Sequence, residues 1–171
     1  MHRRKFLKSV AGGGTAAFMP WAVSARVQMR NGPIPQGYKA LTAEQVATLE
    51  AICEQIVPAD EFPGAKQAGV VHFIDQVLTG PVARSYRKRY EVGLKLVDRV
   101  SQGRHGQGFA ALEGEQQRSV LLDLESGKAA GAAGQQFFAL LVGHTMEGYY
   151  GDPAHGGNRD GASWKMIGFK G

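Results

Sequence analysis

Four side chains in the C-terminal third carry the donor atoms that could hold a divalent metal: His144, Glu147, Asp152 and His155. Imidazole nitrogens and carboxylate oxygens are ordinary ligands, and three or four of them close a site. His144 and Glu147 stand three residues apart, which places them on one face if the segment is helical. His155 would have to fold back to join them. No His-Glu-x-x-His pattern accompanies them, so the simpler reading is a histidine with a hydrogen-bonded neighbour. His72 and His105 are lone residues without a supporting pattern. The single cysteine, Cys53, makes an internal disulfide, a zinc knuckle or an iron–sulfur site impossible. Cys53 follows Ile52 on an apolar stripe, which predicts a buried thiol; a bridge to another subunit is the other reading. Ser163, in Gly161-Ala162-Ser163-Trp164, is not set in a nucleophile elbow. Gly12 to Gly14 do not lie between a strand and a helix, so they are not a dinucleotide loop. The expectation is a chain with no catalytic residues, no metal and no cofactor of its own. An independent small periplasmic metal-binding protein or hydrolase is the alternative.

The elements that would position these residues begin after a distinctive leader. Arg3-Arg4-x-Phe6-Leu7-Lys8 precedes an uncharged run, residues 9–25, ending in the small residues Val23-Ser24-Ala25. This order resembles a twin-arginine export signal, in which Arg3, Arg4, Phe6 and Leu7 are the recognition residues. His2 stands where such signals more often carry Ser or Thr. The run contains three glycines and Pro20 and falls short of the ~20 apolar residues of a spanning helix. That export route moves folded proteins, which usually carry a cofactor or travel with a partner that does. Residues 1–25 are read as the signal and 26–40, with Pro33, Pro35, Gly32 and Gly37, as an extended linker.

The leader also accounts for the charge. The chain has 171 residues and a formal charge of +5, but Arg3, Arg4, Lys5 and Lys8 supply four of the 20 basic residues. No acidic residue precedes Glu44, so the rest of the chain is nearly neutral. Arg84, Arg87, Lys88 and Arg89 form one local cluster, read as a solvated helix face. Without a basic stripe interleaved with aromatics, no nucleic-acid partner is expected. Apolar content of 43% excludes disorder.

Residues 41–171 read as one all-α domain, a compact bundle of about five helices with a long irregular Gly-rich segment, 151–171. Thr42 caps a helix over 42–57, with Gln45 placed for a capping box and Pro58 as its stop. Apolar periodicity predicts further helices over 65–79, 82–102, 115–125 and 135–150. In the third, Tyr86, Tyr90, Val92-Gly93-Leu94, Leu96-Val97 and Val100 are expected to face inward. In the fourth, Val120, Leu121, Leu122 and Leu124 are expected to be buried. The Ala/Gly stretch 127–134 reads as a loop.

A coil as long as 151–171 would not hold shape alone. It is nonetheless rich in residues that dominate interfaces: Trp164, Phe169 and Arg159, with Tyr149 and Tyr150 just before. Its motifs are Gly148-Tyr149-x-Gly151-Asp152-Pro153, Gly156-Gly157-Asn158-Arg159-Asp160 and Trp164-x-x-Ile167-Gly168-Phe169. Together with the leader, Ile52-x-x-x-Ile56-Val57-Pro58-Ala59-Asp60, Pro63-Gly64-Ala65 and Val71-x-Phe73-Ile74-Asp75, these resemble the gluconate 2-dehydrogenase subunit 3 family along nearly the whole chain. His155 and Lys170 stand where that family commonly has an aromatic and a Pro.

The resemblance implies a non-catalytic small subunit of a membrane-associated, periplasmic, FAD-dependent sugar or polyol dehydrogenase complex. FAD and the active site would lie in a large flavoprotein of the glucose–methanol–choline type. A multihaem cytochrome c, carrying haem c, often completes such complexes as a third subunit. The small subunit would carry its folded partner through the twin-arginine translocase; an export chaperone that leaves after delivery is a variant of the same idea. Tyr149, Asn158, Arg159, Asp160 and Trp164 are the expected partner contacts, with Gly156 and Gly157 allowing close backbone approach. Trp164 and Phe169 either reach the partner or fold back onto this chain's own helices.

Overall fold

The computed structural model describes residues 37–81 and 83–170. The expected signal, with Arg3, Arg4, Phe6 and Leu7, and most of the expected linker lie outside the described residues. Among the described residues the fold is all-α, as expected, with helices α1 (Ala43–Ile56), α2 (Val70–Thr79), α3 (Ala83–His105), α4 (Gly114–Glu125), α5 (Gly131–Tyr150) and α6 (Ala162–Ile167).

Local chemistry explains the ends. The Thr42 hydroxyl accepts from the Gln45 N–H, and the Gln45 side chain accepts from the Thr42 N–H, a reciprocal capping box. Helix α2 starts at Val70, not at residue 65. The preceding residues close turns instead, with Ala65 N–H donating to Val57 O and Val70 N–H donating to Ala65 O. Helix α3 runs through Gly103 and stops at Gly106, whose φ of +72° is the left-handed conformation that terminates helices. Helix α5 begins at Gly131 rather than 135, so half of the expected Ala/Gly loop is helix. There Gly134 packs against the Ala129 carbonyl and Leu124, a spot with no room for a Cβ.

Helix α5 is the centre of the bundle and packs against α1, α2, α3 and α4. The core holds Leu49, Ile52, Ile74, Val97, Val120 and Leu141, all fully buried. Each such side chain contributes about 1.5–3 kcal/mol relative to exposure. Two expectations about the core are corrected. Val92 is 53% exposed and Leu122 39% exposed. Consecutive apolar residues span too wide an arc of a helix for all to face inward. In α3 the inward position goes to Gly93, where the Phe137 ring of α5 occupies the space a Cβ would need. Arg104 of α3 forms an ion pair with Asp123 of α4 at the far end.

The tail differs most from expectation. It is not irregular coil: short 3-10 turns at Pro153–His155 and Arg159–Gly161 lead into α6. It is stitched to the bundle by Asn158 N–H to Gly148 O (2.8 Å) and Arg159 N–H to Ala68 O (2.9 Å).

Candidate partner-binding site

The tail is built around Asn158, which is fully buried. Its Nδ2 donates to Gly151 O (2.8 Å), and its Oδ1 accepts from both the N–H and the hydroxyl of Ser163 (2.9 Å each). One side chain thus ties the end of α5 to the start of α6. A buried amide this fully satisfied is stable where a half-satisfied one would be costly. Gly157 lies against the Gly148 backbone with no space for a Cβ, and Gly156, at φ +88°, sits over Gln76 and the His72 backbone. The close approach these glycines permit is therefore internal to this chain.

Tyr149 is likewise fully buried, and its hydroxyl donates to Pro63 O (2.7 Å). Tyr149, Gly157 and Asn158 do not offer a surface to another molecule, which corrects the expectation that they are direct contacts. They fix the loop that carries Arg159. Burial was decided by hydrogen bonds to residues distant in sequence, which residue type alone does not reveal.

Arg159 and Asp160 are exposed. Arg159 lies between two non-glycine residues in the left-handed region, Asn158 (φ +44°) and Asp160 (φ +57°). Such conformations cost on the order of 1 kcal/mol or more each and persist only where surrounding structure enforces them. Trp164 is half-buried: its indole N–H donates to Tyr150 O (3.0 Å), and its ring meets Phe169 edge-on at 5.1 Å. Trp164 thus packs on the chain's own helix end. Phe169 (54% exposed) and Ile167 (60% exposed) remain at the surface beside it. Ile167 and Lys165 complete this face; they were not among the expected contacts, although Ile167 belongs to the tail motif and Lys165 stands next to Trp164.

A second cluster flanks the loop. The buried Asp75 carboxylate accepts from three successive backbone N–H groups, those of Lys39 (2.9 Å), Ala40 (2.8 Å) and Leu41 (3.2 Å). The last residues of the expected linker are thereby clamped onto α2. Tyr38 stacks on His72 at 4.7 Å. Burial first, then the charge of Arg159, holds the His72 imidazole below its ordinary range. Neither Asp75 nor His72 carries a local sequence signal for this role, because the clamp joins positions more than thirty residues apart.

The possible metal ligands part company. His144 is buried, with Nδ1 2.9 Å from the Tyr90 hydroxyl and its ring packed against Tyr86 and Tyr90. Burial, with a smaller contribution from Arg89, pushes it down to about 4. Among the described residues no group of three or more His, Cys, Asp or Glu side chains is placed to hold a metal ion. Cys53 is fully buried, accepts from the Thr145 hydroxyl (3.3 Å), and is pushed by burial up to about 12. A thiol in that state is not a nucleophile.

The sequence model of the gluconate 2-dehydrogenase subunit 3 family matches residues 43–171, from the first residue of α1 through the tail. The chain belongs to that family. As a subunit 3 chain it is an accessory component of a dehydrogenase complex and works alongside the other subunits of such an assembly. No curated protein and no solved structure matches it. In this subunit 3 chain the internally bonded tail, with Arg159 exposed on it, is the strongest candidate for the contact with another subunit.

Proposed function

We propose that this chain is the non-catalytic small subunit of an exported, FAD-dependent sugar or polyol dehydrogenase. It binds the folded flavoprotein, stabilises it and carries it through the twin-arginine pathway to the periplasm. The flavin belongs to the large subunit, and a multihaem cytochrome c links the complex to the membrane. The observation that carries this reading is the tail: a loop held in strained backbone conformations by internal bonds, with Arg159 exposed on it and Ile167 and Phe169 exposed further along the same segment. Rigid presentation of Arg and aromatic groups is what a high-affinity protein contact requires, because little entropy remains to be lost on binding. Arg3-Arg4-x-Phe6-Leu7 at the N-terminus supplies the address.

Replacing Arg3 and Arg4 by Lys tests the carrier role. The expected result is that both this chain and its flavoprotein stay in the cytoplasm, seen by fractionation and by loss of periplasmic dye-linked sugar oxidation. Normal export of the flavoprotein would end the proposal. Pull-down of the mature chain from its native host should bring a large yellow protein with it.

A further inference from the structure

Next to Arg159 lies a surface hollow of about 440 Å³, bounded by Phe62, Pro63 and Gln67 on one side and by Arg159, Ala162 and Lys165 on the other. We infer that this hollow receives an Asp or Glu side chain of the catalytic subunit, with Arg159 and Lys165 as its charged contacts. The inference rests on the small-subunit reading above and adds to it the chemistry of the contact and its place.

Both walls are braced from within. The Tyr149 hydroxyl holds Pro63 O, the Gln67 side chain accepts from Gly64 N–H (3.0 Å), and Arg159 N–H is bound to Ala68 O. Asn158 fixes the loop from beneath, so the left-handed turn on each side of Arg159 cannot relax. The fold thus spends strain on directing one side chain. That side chain lies over Gly69, close enough for its charge to act on His72, yet among the described residues its guanidinium makes no ion pair and no hydrogen bond, and Lys165 makes no ion pair. Asp160 also borders the hollow, yet it pairs with neither cation, and the rim keeps a net positive charge.

The fork of an arginine matches the two oxygens of a carboxylate, and a neighbouring ammonium adds a point charge. Phe62, Pro63 and Ala162 give the hollow an apolar side against which the methylenes and backbone of an acidic residue can lie. The volume is larger than one small ion needs, which suits a side chain on a segment of protein.

The test uses the complex isolated through a C-terminal tag on this chain, joined by an uncharged spacer. Zero-length carbodiimide coupling followed by peptide mass spectrometry reads which carboxylates touch Lys165. The expected product joins Lys165 to an Asp or Glu of the large subunit. Arg159→Ala should weaken association about 10- to 30-fold, Arg159→Glu by about 100-fold or more, and Arg159→Lys by less than Arg159→Ala. Because the Arg159 side chain supports no internal bond, all three variants should keep the wild-type melting temperature. Affinity of Arg159→Glu should also lose part of its salt dependence. A large subunit that binds Arg159→Glu normally, with Lys165 uncoupled or coupled only within its own chain, overturns the inference while leaving the small-subunit reading intact. Recovery of no large subunit with the wild-type chain overturns both.

Discussion

The Tyr90 hydroxyl and Nδ1 of His144 meet 2.9 Å apart between α3 and α5, in the interior of the bundle. The pair satisfies two polar groups that would otherwise be stranded among Phe73, Tyr86 and Phe137, whose rings pack edge-on against them. This histidine is one reason the four candidate metal ligands do not assemble.

Acid should weaken the bundle through His144. An exposed histidine takes its proton near 6.5, whereas burial holds His144 down to about 4. Between those values the unfolded chain binds more protons than the folded one, so stability is complete above 6.5 and declines as pH falls towards 4. The slope is about 1.4 kcal/mol per pH unit, giving a loss of roughly 3 kcal/mol across the window. Urea denaturation midpoints of wild type and His144→Gln, taken in steps through this range, measure it. The variant should be less stable at neutral pH and show a flatter pH dependence; parallel curves would refute the assignment.

Asp75 should control the attachment of residues 39–41. Asp75→Ala removes the acceptor of three N–H groups and should cost about 2 kcal/mol or more. Trypsin should then cut after Lys39 much faster than in wild type, while Asp75→Asn, which keeps one acceptor oxygen, should fall between. The rate of appearance of the fragment beginning at Ala40 is the readout. No acceleration in Asp75→Ala would show that other contacts hold the segment.

Two glycines in and near α5 should respond in opposite ways to alanine. At Gly157 a Cβ would run into the Gly148 backbone, so Gly157→Ala should lift the tail from the helix. Amide protection across 151–170 should fall while α1 to α5 keep theirs. Gly143 lies inside α5 with open space around its Cβ position, and Gly143→Ala should stabilise the protein by about 0.5–1 kcal/mol. Hydrogen exchange and thermal unfolding of the two variants decide it; a Gly157→Ala tail as protected as wild type would contradict the packing described.

Much of the bundle was legible in the chain. The apolar stripe of Val46, Leu49, Ile52, Cys53 and Ile56, closed by Thr42 and Pro58, marks α1 because capping and amphipathic spacing act within a few residues. Errors arose where a glycine had two uses. Gly103 and Gly131 looked like breaks and lie within helices, at exposed positions with open space around them; a glycine weakens a helix by only about 1 kcal/mol, which the packing of the other residues of α3 and α5 offsets.

The candidate site was legible as a segment but not as a surface. The motif from Gly148 to Phe169 marked the tail; residue types pointed to Arg159 and Trp164, and the family resemblance added Asn158 as an expected contact of the same kind. Which of them face outward was decided by the tertiary structure. In a chain without helix or strand periodicity, a side chain's direction follows from φ and ψ at each residue. Here those angles are set by bonds to Ala68, Gly148 and Gly151, so Asn158 turns into the protein and Arg159 out of it. Local spacing and capping therefore determined the helices from sequence alone, because the forces that make them are short-ranged. The loop around Arg159 had to wait for the fold, because its strained backbone exists only where distant residues hold it.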